Sequence, residues 1–476
     1  MNPLRKSSRR HGRAALITRP PRCCAELSMT RRTLTAFSTS NSHSVTMSPT
    51  YIFLAFAFGG VIAALQPPDP MSLYTSTTPL DPNDPIMAGL PLLPNVTHLQ
   101  VHGGYDVGRT YAHHAITEFF DDTLYVAWSS GSVDEDQMGQ QSWFVKGQLA
   151  SNWKLDVHSS RLMLPSALLS NQTVELNYTY WCQQDIAQRA AQPNAFLKFN
   201  GSVYGVSETW DIQCTNAGTS KYTRSAGRFV LPVSDDASTG CWLVQTEWYA
   251  RHKWNETMVT TVLCPQPFRS QFAALLDRPH NMPFTHYQLT NAGTYYASDV
   301  AHAVQEVTKA VWFNDDTSTG AGYWQRFWRD VSGANSLVTW VEFSTNGLDW
   351  LPAVVTSGSN GIIPSNVPDS NTKTFFGAVT IACGPVTYIV HNPQYYPSTR
   401  WRQPLSISVA HDRVHFDSEH VIRTNASLTW VPDTRNVKRV GLSYPHATVA
   451  GDELIVAYSE NKENIWLTRI PLQSLI

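Results

Sequence analysis

The chain has 476 residues, 42% hydrophobic, 11% aromatic and 15% charged. That is ample for a large apolar core, and too little charge for a disordered or nucleic-acid-binding chain. The net charge of −2 hides an asymmetry: residues 1–46 carry nine Lys or Arg against the single acid Glu26, leaving −10 on the remainder. So acidic a body excludes nucleic acid and anionic membranes as partners, and an anionic substrate must be met by a local cluster of Arg.

Residues 1–46 read as a basic leader, an over-extension of the gene ahead of a start at Met29 or Met47, with a second targeting segment as the alternative. From Tyr51 to Leu65 runs the uncharged stretch YIFLAFAFGGVIAAL, short for a membrane span and ending in small residues around Ala63 and Ala64. Residues 47–65 are therefore expected to be a secretory signal peptide, and the mature protein a secreted, extracellular monomer. The sequons at Asn95, Asn171, Asn177, Asn200, Asn255 and Asn425 all follow that stretch, which fits the glycosylating secretory route. Five cysteines lie beyond the leader, Cys182, Cys214, Cys241, Cys264 and Cys383. No spacing among them resembles a zinc site, and the pairing of one or two disulfides stays open.

Residues 66–98 (QPPDP, TTPLDPNDP, LPLLP) are Pro-rich and read as an extended arm. Residues 99–476 then form one domain of short β-type runs, such as LYVAWSS (124–130), CWLVQTEWY (241–249), SLVTWVEFS (336–344) and ELIVAYSEN (453–461). Gly, Asn, Asp and Pro turns separate them, and no long stretch keeps a helical apolar period, so the fold class is all-β. The runs recur every roughly 45 to 60 residues, the length of one four-stranded propeller blade. That period predicts a seven-bladed β-propeller, with a six-bladed, sialidase-type ring as the alternative. Ser344-Thr345-Asn346-Gly347-Leu348-Asp349-Trp350 reads as a degenerate Asp-box, a folding turn of the outer rim with no catalytic meaning. The segment from Tyr444 to Ile470 reads as the closing blade, with a hairpin around Glu460, Asn461 and Lys462. A ring of this kind often closes by pairing strands from both chain ends.

Several segments carry a resemblance. His113-His114-Ala115-Ile116, followed by LYVAWSSG and by Asp134-Glu135-Asp136 with Gly139-Gln140, resembles the opening blade of secreted sialidase-like (BNR-repeat) propellers. Arg326-Phe327-Trp328-Arg329-Asp330, Val367-Pro368-Asp369-Ser370, His391-Asn392-Pro393, Arg402-Gln403-Pro404-Leu405 and Tyr444-Pro445-His446 with Asn461-Lys462 extend it to roughly residues 100–475. Within that family the chain looks most like fungal L-rhamnose-α-1,4-D-glucuronate lyases, and more distantly like propeller ulvan lyases. The resemblance implies a carbohydrate-active enzyme that degrades a uronic-acid-containing polysaccharide or glycoprotein glycan. A true sialidase fits less well, because its Arg triad and Tyr/Glu pair are not placed by sequence.

β-Elimination at a 4-linked uronic acid needs a group that neutralises the carboxylate, a base for the C5 proton and an acid for the leaving oxygen. Histidine suits the base and an Arg fork the carboxylate. His113 and His114 are the candidate bases, and alternation along a strand leaves only one of them facing the pocket. Tyr444 is the candidate acid, with His446 beside it. Arg326 and Arg329, with Trp328 as a stacking wall, are the candidate clamp, and Asn392 and Arg402 are further substrate-binding candidates. The acids Asp134, Glu135 and Asp136, with Asp106, Glu118 and Asp369, support the alternative, a sialidase-type exo-glycosidase. A non-catalytic propeller lectin is the reading from another class. No P-loop, Rossmann glycine pattern, HExxH or G-x-S-x-G motif is present, so no cofactor and no catalytic metal are expected. No EF-hand spacing predicts Ca²⁺, and the one metal role left open is a structural Ca²⁺ bound by loop carbonyls and Asp.

Overall fold

The computed structural model describes residues 67–104, 106, 108–131, 135, 140–148, 155, 160–164, 188–214, 220–234, 239–244, 263–281, 295–296, 303–314, 322–330, 338–350, 362–394, 401–424 and 440–476. The basic leader, the signal segment, Asp134, Asp136, Gly139, Cys182 and the sequons at Asn171, Asn177, Asn255 and Asn425 lie outside the described residues.

The Pro-rich arm packs as an extended strap. Asp69 caps a short 3₁₀ turn, Pro70–Ser72, and the arm then forms parallel bridges from Tyr74 to Phe416 and from Leu92 to Val421. It leads into β1 (Thr97–Gly103). Sheet I follows with β2 (Tyr111–Phe120), β3 (Thr123–Gly131), β4 (Gln141–Gln148) and β5 (Arg161–Leu164). Sheet II holds β6 (Gln188–Phe199), β7 (Ser202–Cys214), β8 (Ser220–Pro232) and β9 (Cys241–Val244). A nine-residue helix, α1 (Phe268–Leu276), precedes sheet III, with β10 (Tyr295–Tyr296), β11 (Ala303–Gln305), β12 (Val311–Asn314), β13 (Gly322–Asp330), β14 (Val338–Ser344) and β15 (Ile363–Pro368). Sheet IV holds β16 (Phe375–Ile381), β17 (Gly384–His391), β18 (Leu405–Ala410) and β19 (Ser418–Arg423). Sheet V holds β20 (Leu442–Ala450), β21 (Glu453–Glu460) and β22 (Asn464–Pro471), and takes β1 as its fourth strand.

Every named strand pair is antiparallel, and the ring closes through β1 on β22, with Leu99 opposite Leu467. The first strands of the sheets lie toward the middle, where β2 packs against both β6 and β20, and β16 against β20. Apolar residues fill the gaps between neighbouring sheets, as period-2 alternation requires. In β21, Ile455 and Ala457 join the cluster shared with sheet I, while Leu454, Val456 and Tyr458 join the cluster shared with sheet IV. The Asp-box turn is where the sequence places it: Asn346 Oδ1 accepts from the Leu348 and Asp349 amides at 2.8 and 2.7 Å, and Gly347 takes φ 74°.

The blade count differs from expectation. The described residues form five sheets, not seven or six. Two features inflated the count. Strands β6, β7 and β8 run 12, 13 and 13 residues, so sheet II uses more chain than the period allows. The stretch between β9 and β10 also holds α1 among its described residues, where the period expected strands. Phe272 and Leu276 of α1 pack with Leu197, Val206, Val230 and Leu243, so a helix covers that face of sheet II. A disulfide between Cys241 and Cys264 ties β9 to the segment before α1. Trimming Ile455 to Ala leaves a cavity between sheets V and I. Urea unfolding is expected to show a loss of about 2–5 kcal/mol.

Candidate active site

Two β-bulges build the centre of the ring. Pairing of β2 with β3 shifts between His113 and Ile116, and pairing of β20 with β21 shifts between Ser443 and His446. The extra residues include His114 at φ 53° and Tyr444 at φ 60°, in the left-handed region that side chains rarely adopt. A bulge re-aims the side chains around it. The expectation that only one histidine faces the pocket therefore fails, because the alternation it assumed is broken at that point. The two imidazole centroids lie 4.7 Å apart, and the Tyr444 ring lies 4.1 Å from His113 and 5.2 Å from His114.

Sheet III and the segment before β16 supply the partners of Tyr444. Its hydroxyl accepts from Arg329 Nη1 at 2.6 Å and donates to Glu306 Oε1 at 3.4 Å. Arg329 also pairs with Glu306, which sits at φ 59° between β11 and β12. Lys373 Nζ lies 3.5 Å from Glu306, 3.2 Å from His114 Nδ1 and 4.6 Å over the Tyr444 ring. The Arg402 guanidinium lies 5.3 Å from the same ring. It is held there by backbone bonds to Val440 and Leu442 across Gly441, where a Cβ would meet the Arg402 carbonyl at 2.5 Å. Across the cup, Glu135 accepts from His114 Nε2 at 3.2 Å and pairs with Lys462. His113 Nδ1 meets Ser459 Oγ at 2.5 Å.

The result is a buried cluster rich in cations. Around Tyr444 the cations Arg329, Lys373, Arg402 and Lys462 face the carboxylates Glu135 and Glu306. Burial, reinforced by Lys373, lowers the His114 pKa to about 4 against the raising effect of Glu135 and Glu306. Burial, then Lys462 and His114, holds His113 well below the usual histidine range, so both imidazoles are neutral at physiological pH. Burial would raise Glu135, but Lys462 and the two histidines outweigh it and keep that carboxylate ionised. Burial raises the Tyr444 phenol above its ordinary value despite Arg329. His113, His114 and Glu135 bring three ligand-type atoms within 4.8 Å of one another, and we tested them as a cation site. The fit is poor. The Lys373 ammonium at His114 Nδ1 leaves the proton on Nε2, directed at Glu135, and Lys462 holds the other Glu135 oxygen.

The structure brings His113, His114, Arg329, Arg402 and Tyr444 together and places the other candidates elsewhere. Arg326 pairs with Glu342 at 2.8 Å and stacks on Trp350 at 3.5 Å, and Trp328 Nε1 donates to the same Glu342 at 3.0 Å. Both are on the face of β13 opposite Arg329, because residues one apart in a strand point opposite ways. Asn392 donates to the carbonyls of Pro404 and Leu442 at 2.9 and 3.0 Å, fixing backbone. His446 accepts from the Thr117 amide at 3.3 Å and packs on Phe375. Glu118 pairs with Lys309, away from Tyr444, and Asp106 is exposed. Sequence reasoning missed Glu306 and Lys373. Glu306 stands in no recognisable motif, and the one signal for Lys373 was the Val367–Ser370 segment just ahead of it.

No protein-family model matches the chain, and no curated protein does. Solved structures do. A protein described as a sialidase superposes with a TM-score of 0.56 at 16% identity, over 84% of this chain and 35% of its own. The chain thus spans about a third of the length of that protein. Trypanosoma rangeli sialidase in complex with the inhibitor DANA gives 0.37 at 9% identity, over 79% of this chain and 60% of its own. A glycosyl hydrolase from Bacteroides ovatus gives 0.37 at 7% identity, over 84% and 94%. The first superposition shows a sialidase-like β-propeller fold.

Asp369 gives a pH test of the geometry. It is fully buried, and burial raises its pKa from 3.8 to about 7, against the lowering by His391 and Arg329. The folded state therefore keeps a proton that the unfolded chain releases, and this contribution to stability falls as pH rises from about 4 to about 7. Asp369→Asn is expected to flatten the pH dependence of the urea midpoint in that window and to raise the midpoint at neutral pH.

Proposed function

We propose that the protein is a carbohydrate-active enzyme that cleaves a glycan at an acidic sugar, by hydrolysis at the Tyr444 centre. The observation that carries this reading is the Tyr444 hydroxyl, placed between Arg329 and Glu306 in a cup where cations outnumber carboxylates. Arg329, Arg402 and Lys373 suit a sugar carboxylate, and Glu306 suits the proton of the phenol. In the first step the Tyr444 oxygen bonds to the anomeric carbon as the glycosidic C–O bond breaks. The phenol proton passes to Glu306, and a water proton goes to the leaving oxygen. The remaining hydroxide then releases the sugar, and Glu306 returns the proton to Tyr444. The water is expected to enter beside Glu135 or Arg329, whose side chains are 15% and 16% exposed on opposite sides of the cup.

One observation favours a second reading, elimination at a uronic acid. Two neutral imidazoles lie in contact with a phenol that burial keeps protonated, the pairing of base and acid that such a reaction needs. In that reading His113 or His114 takes the C5 proton, Arg329 and Lys373 hold the carboxylate, and Tyr444 protonates the C4 oxygen. The expected setting is extracellular, with a uronic-acid-containing polysaccharide or glycoprotein glycan as substrate.

The test is incubation of the mature protein with sialyllactose and with gum arabic. Hydrolysis frees an acidic sugar or a neutral cap with no new ultraviolet absorbance, whereas elimination leaves a C4–C5 double bond that absorbs. If binding persists without either product, the protein is a lectin and the proposal is wrong. Tyr444→Phe is expected to lower kcat by about a thousandfold in either chemistry, with little change in melting temperature.

A further inference from the structure

Among the described residues, sheet II supplies none of the groups that touch Tyr444, yet its inner wall holds several buried polar atoms without hydrogen bonds. Asn194 is 1% exposed, and neither its Oδ1 nor its Nδ2 has a partner. Gln192 and Glu208, 3% and 1% exposed, share a side-chain hydrogen bond, yet the Oε1 of each has no partner, that of Glu208 lying 3.8 Å from Arg228 Nε. Burying polar groups without hydrogen bonds is costly, and native folds rarely leave several of them side by side.

Their placement is as informative as their number. Pairing of β6 with β7 shifts between Pro193 and Ala195, which makes Asn194 the bulge residue of β6, as His114 is in β2 and Tyr444 in β20. Strand β6 packs beside β2, and Glu208 sits opposite Gln192 in the β6–β7 register. Lys373 and Glu208 are close enough to influence one another's protonation, which sets this wall against the cup. Burial raises Glu208 to about 7 against the lowering by Arg228 and Lys373, so near neutral pH it both donates and accepts. Two amides and a half-protonated carboxyl, with no uncompensated charge, match a ring of hydroxyl groups, each of which also donates and accepts.

We propose that Gln192, Asn194 and Glu208 form a second subsite, on the sheet II wall of the cup, which takes the neutral sugar ring joined to the acidic sugar held at Tyr444. The proposal rests on the glycan-cleaving reading above and adds where the other side of the scissile bond sits. Buried water is the competing occupant.

Asn194→Leu separates them, because it removes both orphaned atoms at similar volume. The melting temperature is expected to hold or rise, since no hydrogen bond of the fold is lost. The preference for sialyllactose or gum arabic oligosaccharide over the matching 4-nitrophenyl glycoside is expected to fall about tenfold, as the aryl group makes no use of the amides. An unchanged preference overturns the proposal and leaves the atoms as water sites. Asn194→Met gives the same readout should Asn194→Leu fail to fold. If the wild type cleaves none of these compounds, the catalytic reading has failed, and the subsite is judged by calorimetric titration with neutral oligosaccharides from debranched gum arabic. Binding that Asn194→Leu abolishes upholds it, and no binding to the wild type refutes it.

Discussion

Charge buried away from water must be paired or hydrogen-bonded, and that constraint organises the centre of this molecule. Arg329 reaches Glu306 and Tyr444, Lys373 reaches Glu306 and His114, and Glu135 reaches His114 and Lys462. Each step of that chain satisfies a group that could not be buried alone. The chain also crosses the ring, since Arg329 is on β13 and Glu306 between β11 and β12, Tyr444 is on β20 and Lys462 in the β21–β22 turn, His114 is on β2 and Glu135 between β3 and β4, and Lys373 is on the approach to β16. The chemistry and the relative placement of the sheets therefore depend on the same contacts.

The cup and the body of the protein have opposite electrostatic character. Beyond the basic leader the chain carries an excess of acid, while the pocket collects more cations than carboxylates. The acidic exterior does nothing to attract an anionic sugar, so affinity for one has to come from contact at short range, where a low dielectric strengthens each pair. Lysine shares this work with arginine here. Lys373 offers a point charge to two neighbours and to the face of a ring, whereas Arg329 uses its planar fork to hold a carboxylate and a phenol together.

Much of this was legible in the sequence, and the remainder was hidden for definite reasons. Period-2 apolar runs and turn residues gave the all-β class, and the C-terminal hairpin gave the closing sheet. The His113-His114 and Tyr444 segments carried enough resemblance to mark the centre. What parity could not decide was which face of β13 looks inward, so Arg326 and Arg329 seemed equivalent although one pairs with Glu342 and stacks on Trp350 while the other meets Tyr444. The bulge in β2 was also invisible, because no residue type in His-His-Ala announces a slipped register, whereas Pro445 in Tyr-Pro-His is a residue that strands hold mainly at edges and bulges. Glu306 and Lys373 come from short connections at strand ends, and their approach depends on the backbone path. The number of sheets failed for a related reason: a repeat length divides a chain evenly, and helix α1 and the long strands of sheet II do not.

The pairing of β1 with β22 has a consequence for how the protein is made. Strand β1 is among the first parts of the domain to leave the ribosome, and β22 is among the last. Until β20 to β22 are made, β1 has no edge to join, and sheet V has none of its other strands. The first-made strand of the domain must wait, unpaired, through the production of four sheets, and the domain can complete itself only once β22 has been made. A nascent chain in that interval exposes an open edge, and shielding it falls to whatever escorts the polypeptide rather than to the fold itself.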